Sequence, residues 1–219
     1  MINGIRFKVC GLTSVADAQF AAQCGADYLG FIFHPDSPRY VSLEKFRAMA
    51  PELPATKKVA VTVSPTNDEL ARLVDAGFDF VQLHFSNESS FFDVVSWLDV
   101  VPPHTLWLAP RVKPGRELDP AFVPLAETFL LDTYHPTAAG GSGQTGDWTA
   151  FSHLRRKYIR VTWVLAGGLN PDNIGAALAE SGAQVVDVNS GVESSPGVKD
   201  HAKLTSFAAA LHRATPGSR

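Results

Sequence analysis

The chain has 219 residues, 45% of them hydrophobic and 19% charged, with a net charge of −3 and an isoelectric point near 6.1. This suits one large or two small folded domains, argues against disorder, and offers no basic footprint for nucleic acid or anionic lipid. Two cysteines make no disulfide framework, no C-x-x-C pair suggests zinc, and neither a signal peptide nor an apolar run long enough for a membrane span is present, so a reduced, soluble, cytoplasmic protein is expected.

Short apolar runs rich in β-branched and aromatic residues recur along the chain, the rhythm of βα units. Strands are predicted over 5–10, 28–33, 58–63, 79–84, 105–109, 128–132, 160–166 and 184–188. Most are near-continuously apolar, as parallel strands covered on both faces are. Helices are predicted over 15–24 after the cap Ser14, 43–49 after Ser42, 67–76, 90–98, 148–158, 172–181 and 202–214. A weak fifth helical segment over 119–126 is bracketed by Pro120 and Pro124. Eight βα pairs with no linker imply one (β/α)8 barrel over 1–219, with a doubly wound open sheet as the rival.

A barrel carries its chemistry at the C-terminal ends of its strands. Cys10 ends the first strand and Asp132 the sixth, a thiol and a carboxylic acid suited to base and acid work on one carbon. Lys8, two residues before Cys10, shares its face and would favour the thiolate; Cys24, inside the first helix, reads as packing. Against this stand the bland readings of Cys10 as a small buried hydrophobe and Asp132 as a loop hydrogen-bond acceptor. Partial burial of Asp132 would keep its proton available near neutral pH.

The run from Gly140 to Gly146 contains a formal G-x-G-x-x-G, but it follows its strand at a distance and no acid occurs between Trp148 and Pro171. A dinucleotide site is therefore not expected, and a mobile active-site loop with Gly141 and Gly143 against substrate fits better. Gly167, Gly168 and Asn170 after the seventh strand, and Ser190 and Gly191 after the eighth, suit a backbone phosphate cradle. Two ordinary tight turns are the plainer reading. Arg39, in a loop stiffened by Pro35 and Pro38, offers a two-pronged grip on a carboxylate. His34 and His84 lie near strand ends with no metal-binding pattern around them, and no metal or cofactor is expected.

These segments, in this order, resemble the phosphoribosylanthranilate isomerase family: Lys8-Val9-Cys10-Gly11-Leu12-Thr13, Ser37-Pro38-Arg39-Tyr40-Val41, Val81-Gln82-Leu83-His84, Leu130-Leu131-Asp132-Thr133, Gly140-Gly141-Ser142-Gly143-Gln144-Thr145, Leu165-Ala166-Gly167-Gly168-Leu169-Asn170-Pro171 and Asn189-Ser190-Gly191-Val192-Glu193. The resemblance runs from the first strand to the last helix. It implies an Amadori rearrangement of a phosphoribosyl amine of anthranilate in tryptophan biosynthesis. Cys10 falls on the family's general base, Asp132 on its acid, Arg39 on its carboxylate ligand, and Gly167, Gly168 and Gly191, with Ser190 and Asn170 beside them, on its phosphate site. Lys8, Gly141 and Gly143 are counted with the substrate contacts, and a monomer is expected over a homodimer.

Three departures from the family pattern stand out. Phe85 follows His84 where glycine is usual, Thr62-Val63-Ser64-Pro65 replaces a phenylalanine-and-asparagine strand ending, and Asn189 replaces a commoner serine. The first two are placed by sequence where the aromatic ring of the substrate could pack. Other sugar-phosphate barrels, and a non-catalytic phosphate-binding barrel that Phe85 would favour by narrowing the pocket, are the competing functions.

Overall fold

A computed structural model describes residues 1–113, 115–132 and 147–214. Eight parallel strands close into a barrel in sequence order, β8 returning onto β1. They are β1 (Arg6–Val9), β2 (Tyr28–Ile32), β3 (Lys57–Val63), β4 (Phe80–Ser86), β5 (Leu106–Arg111), β6 (Thr128–Leu131), β7 (Thr162–Leu165) and β8 (Val185–Val188). The barrel expectation holds over the open sheet, because closure leaves neither edge unpaired.

Helices pack around the barrel: α1 (Val15–Gln23), α2 (Leu43–Met49), α3 (Asn67–Asp75), α4 (Phe91–Ser96), α5 (Trp148–Lys157), α6 (Ile174–Ser181) and α7 (His201–Arg213). Their starts are chemically marked. The Ser14 and Ser42 hydroxyls accept the backbone N–H groups of Asp17 and Lys45, and Thr66 and Glu69 cap α3 reciprocally. The fifth helical segment is a 3-10 stretch, Pro120–Leu125, since Pro124 removes a donor that an α-helix would use. The fourth ends early and tightens into a 3-10 turn over Trp97–Asp99. A short antiparallel hairpin, β9 (Glu193–Ser195) with β10 (Val198–Lys199), follows β8 and was not expected.

Alternation along the strands divides the core in two. Phe7, Val9, Leu29, Phe31, Leu83 and Phe129 belong to the large cluster between strands and helices, whereas Cys10, Tyr28, Val61, Trp107, Leu130 and Val164 form a separate cluster inside the barrel. At the N-terminal end the interior is plugged by aromatics. Tyr28 packs edge-on against Trp107 at 5.0 Å and Phe80 at 5.8 Å, and Arg6 Nη1 donates to the Tyr28 hydroxyl at 3.0 Å.

Phe85 lies in the outer layer. It is buried against Trp97 and Phe122, at centroid distances of 5.5 and 5.2 Å. It therefore does not sit where a substrate ring could pack, correcting the sequence expectation. Position 85 is odd in a strand whose even positions, Gln82 and His84, pair with each other on the other face.

Candidate active site

The register of β1 and β8 sets Lys8 directly opposite Asp187, and their side chains meet at 3.0 Å with exposures of 0% and 9%. A lysine fits inside the barrel because β2 presents Gly30 there: a methyl group at that position would lie 2.9 Å from Lys8 Cε and 3.1 Å from the Cys10 backbone. Burial alone would pull the ammonium down, but Asp187 and Cys10 outweigh it and hold Lys8 above the ordinary lysine value. Lys8 is thus a fully enclosed charge beneath Cys10, already engaged.

Cys10 is buried at the C-terminal end of β1, its N–H donating to Val188 O at 2.9 Å. Burial pushes its thiol up. Lys8 and, more weakly, Lys199 work against that without overcoming it. The expected action of Lys8 is present, but the expected net ease of ionisation is not, because desolvation of the thiolate, with the Asp187 carboxylate adding to it, is the larger effect. Cys24 is half-buried against the core, as a packing residue would be.

Asp132 immediately follows β6, two residues beyond Leu130, whose side chain is in the interior cluster with Cys10. By sequence parity Asp132 shares the side of Leu130, one residue past the end of the strand. The expected partial burial is not found, since Asp132 is exposed at the strand end. Gly141 and Gly143 lie outside the described residues.

His84, on β4, is held neutral. Burial first, then Lys8, Arg111 and His34, push its pKa down to about 3. Its Nε2 stands 2.8 Å from Gln82 Nε2, so with the amide donating, the imidazole proton sits on Nδ1. Gln82 is 1% exposed, and its Oε1 is enclosed without a hydrogen-bond partner. His34 lies 3.7 Å from Asp36 at the surface.

Arg39 is buried and already holds a carboxylate. Its Nε donates to both oxygens of Glu193, at 2.9 and 3.1 Å, and Nη2 to Oε2 at 2.6 Å. The same Glu193 receives Lys199 Nζ at 2.8 Å, and β9–β10 pairing sets Lys199 opposite Glu193. Glu193 is held below the usual carboxylate range: burial alone would raise it, and Arg39 and Lys199 together more than reverse that. Lys199 also donates to Asn189 O and Oδ1 at 3.3 and 3.0 Å.

The loops after β7 and β8 meet. A side chain at Gly191 would overlap the carbonyl oxygen of Leu169 and crowd Asn170 Cβ at 2.9 Å, so only glycine allows the contact. Gly167 and Gly168 adopt φ of 92° and 63°. Asn170 shapes this loop: its Oδ1 accepts from the backbone N–H groups of Asp172 and Asn173, and Asn173 Nδ2 donates to Gly168 O at 2.9 Å. Ser190 and Gly191 are half-buried in the 3-10 turn after β8. The two loops form one backbone-lined rim. Among the described residues no cluster of His, Cys, Asp and Glu is arranged to hold a metal, and no helix is long and apolar enough to cross a membrane.

Sequence reasoning missed Asp187, Glu193 and Lys199 as partners of the named residues. The available signals were an aspartate inside the apolar run Val185-Val186-Asp187-Val188 and a lysine six residues beyond Glu193. Neither says which cation it faces.

A family model described as N-(5'-phosphoribosyl)anthranilate isomerase matches residues 7–210. A relative so named from Neisseria gonorrhoeae is 38% identical over 216 residues, covering 95% of this chain and 97% of the relative. One from Thermosynechococcus vestitus is 40% identical over 207 residues, covering 93% and 88%. The phosphoribosyl anthranilate isomerase structure from Thermotoga maritima superposes with a TM-score of 0.80 at 34% identity, over 94% of this chain and 98% of that one. A structure of such an isomerase in complex with reduced 1-(o-carboxyphenylamino)-1-deoxyribulose 5-phosphate gives 0.75 at 32% identity, covering 94% and 98%. This chain belongs to the N-(5'-phosphoribosyl)anthranilate isomerase family.

Proposed function

We propose that Cys10 and Asp132 are the base and acid with which this isomerase rearranges N-(5'-phosphoribosyl)anthranilate to 1-(2-carboxyphenylamino)-1-deoxyribulose 5-phosphate in tryptophan biosynthesis. The observation that supports the assignment is that Cys10 and Asp132 directly follow the C-terminal ends of β1 and β6 at the same mouth of one barrel, Cys10 within the interior cluster and Asp132 two residues beyond Leu130 of that cluster.

Asp132 gives a proton to the furanose ring oxygen, the bond from that oxygen to C1 breaks, and C1 becomes an iminium carbon. The cation acidifies C2–H, whose proton passes to the Cys10 thiolate. The resulting enolamine takes a proton at C1, the C2 hydroxyl loses one, and the ketone remains. Each general acid–base step of this kind is worth about 10²–10⁴ in rate. Lys8, locked to Asp187, supplies the positive charge beneath the thiolate.

Arg39 receives the anthranilate carboxylate, and the rim of Gly167, Gly168, Ser190 and Gly191 receives the phosphate through backbone N–H groups, with Asn170 fixing the loop. Gly141 and Gly143 complete the substrate contacts. The feature that favoured a non-catalytic barrel, Phe85, packs among the outer aromatics and narrows no pocket. A cytoplasmic enzyme, monomeric rather than dimeric, is part of the same reading, and sedimentation equilibrium tests the latter.

The deciding experiment follows loss of the fluorescent anthranilate substrate, coupled to indole-glycerol-phosphate synthase. Cys10→Ala and Asp132→Asn should each lower kcat by about 10² or more with the fold retained. Near-normal turnover in both purified variants would overturn the assignment.

A further inference from the structure

Arg39 poses a problem of charge. A guanidinium bonded through Nε and Nη2 to Glu193 forms a neutral pair, and the Glu193 carboxylate beside it would repel a second one. A residue meant to hold the carboxylate of a substrate should not be cancelled by one from its own chain.

The hairpin after β8 resolves this. Its register places Lys199 across from Glu193, with Nζ 2.8 Å from Oε1 and the side chain fully enclosed. The other bonds of that ammonium go to the neutral Asn189, at O and Oδ1. Asp17 approaches Lys199 only at its backbone N–H, through Oδ2, while its Oδ1 is taken by His201 Nε2 at 3.0 Å. Lys203 adds a further cation at the Glu193 backbone oxygen, 2.8 Å away. Glu193 is thus shared between two buried cations, and the Arg39–Glu193–Lys199 cluster is one negative charge short of balance.

We propose that Lys199 is a specificity-determining residue: by neutralising Glu193 from the far side it leaves Arg39 electrostatically open to the carboxylate on the aromatic ring of the substrate. The inference rests on the reading of Arg39 given above. Lys199 touches no reacting atom and acts through Glu193. The hairpin is the device that delivers it, and Glu193 serves both as clamp for the guanidinium and as bridge to the second charge.

The test compares kcat/KM for the anthranilate substrate with kcat/KM for the aniline analogue, which differs only in lacking the carboxylate. Taking the ratio cancels effects on the base, which matters because Lys199 also acts on Cys10. Lys199→Gln, which retains a donor for Glu193 and Asn189, and Lys199→Met should each lower the ratio roughly tenfold or more, mainly through KM of the carboxylate substrate, while Lys199→Arg should largely restore it. Arg39→Ala should collapse the ratio, and adding Lys199→Gln to it should change nothing further. If both neutral Lys199 variants, folded by circular dichroism, keep the wild-type ratio while Arg39→Ala loses it, the role of Lys199 is refuted. If Arg39→Ala itself keeps the ratio, the carboxylate reading of Arg39 fails instead.

Discussion

Replacing Lys8 with methionine removes one charge from two interactions at once, and the two consequences can be measured separately. Methionine matches the lysine stem in length, so the space opposite Gly30 stays filled. Asp187, with a side-chain exposure of 9%, then loses a partner at 3.0 Å. Breaking a buried pair by removing one member costs about 3–5 kcal/mol; here burial already holds Asp187 above the usual carboxylate range, so without Lys8 it is driven to take up a proton and the loss belongs at the low end of that range. For a chain of this size each kcal/mol moves Tm by about 2–4 °C, so a fall toward the lower end of about 6–20 °C is expected by calorimetry. The second consequence is kinetic. Burial already holds the Cys10 thiol above its ordinary value, and Lys8 is the main group opposing that rise. In wild type, kcat/KM should therefore climb with pH as the thiol ionises. In Lys8→Met the limb should move to still higher pH, since the thiolate has lost its nearest cation. Adding Asp187→Leu should recover much of the melting temperature and, because Asp187 itself pushes the thiol up, should move the limb only part of the way back. A pH profile of Lys8→Met that superposes on wild type would refute the link between Lys8 and the proposed base.

Phe85→Ala should cost about 3–5 kcal/mol in urea unfolding, as truncation of a buried phenylalanine does, with KM unchanged because the ring faces the helices; a lowered KM would return Phe85 to the pocket. His84 should stay neutral from pH 5 to 8, with no imidazole shift change in that window by NMR, since burial holds its pKa near 3; a midpoint near the ordinary value of about 6.5 would contradict that. Gly191→Ala must part the β7 and β8 loops to clear the Leu169 carbonyl, so KM should rise about tenfold or more while inorganic phosphate loses potency as an inhibitor in parallel. Equal phosphate inhibition in wild type and variant would remove that rim from the phosphate site.

The barrel was legible because a parallel strand buried on both faces needs a continuous apolar run, and all eight such runs became strands. The hairpin was not, because Glu193-Ser194-Ser195 and Val198-Lys199 are too short to carry an apolar periodicity. Cys10, Asp132 and Arg39 could be named from motif and strand-end position, but their electrostatics could not. The partner of Lys8 is 179 residues away, and Glu193 and Lys199 become relevant to Arg39 only once β8 closes on β1. Phe85 was misplaced for a related reason. The departure from the family's usual glycine directed attention to the pocket, whereas strand alternation sends Phe85 and His84 to opposite faces.

Among the described residues, the aromatic plug formed by Tyr28, Phe80 and Trp107 fills the N-terminal end of the barrel interior. With that end filled, the substrate and ketose of the proposed reaction share the opposite mouth, and both carry a phosphate that the proposed rim would grasp. Each turnover must therefore vacate the chamber before the next begins, which makes accumulated product a direct rival of incoming substrate and gives whatever enzyme consumes it a pull on the forward flux.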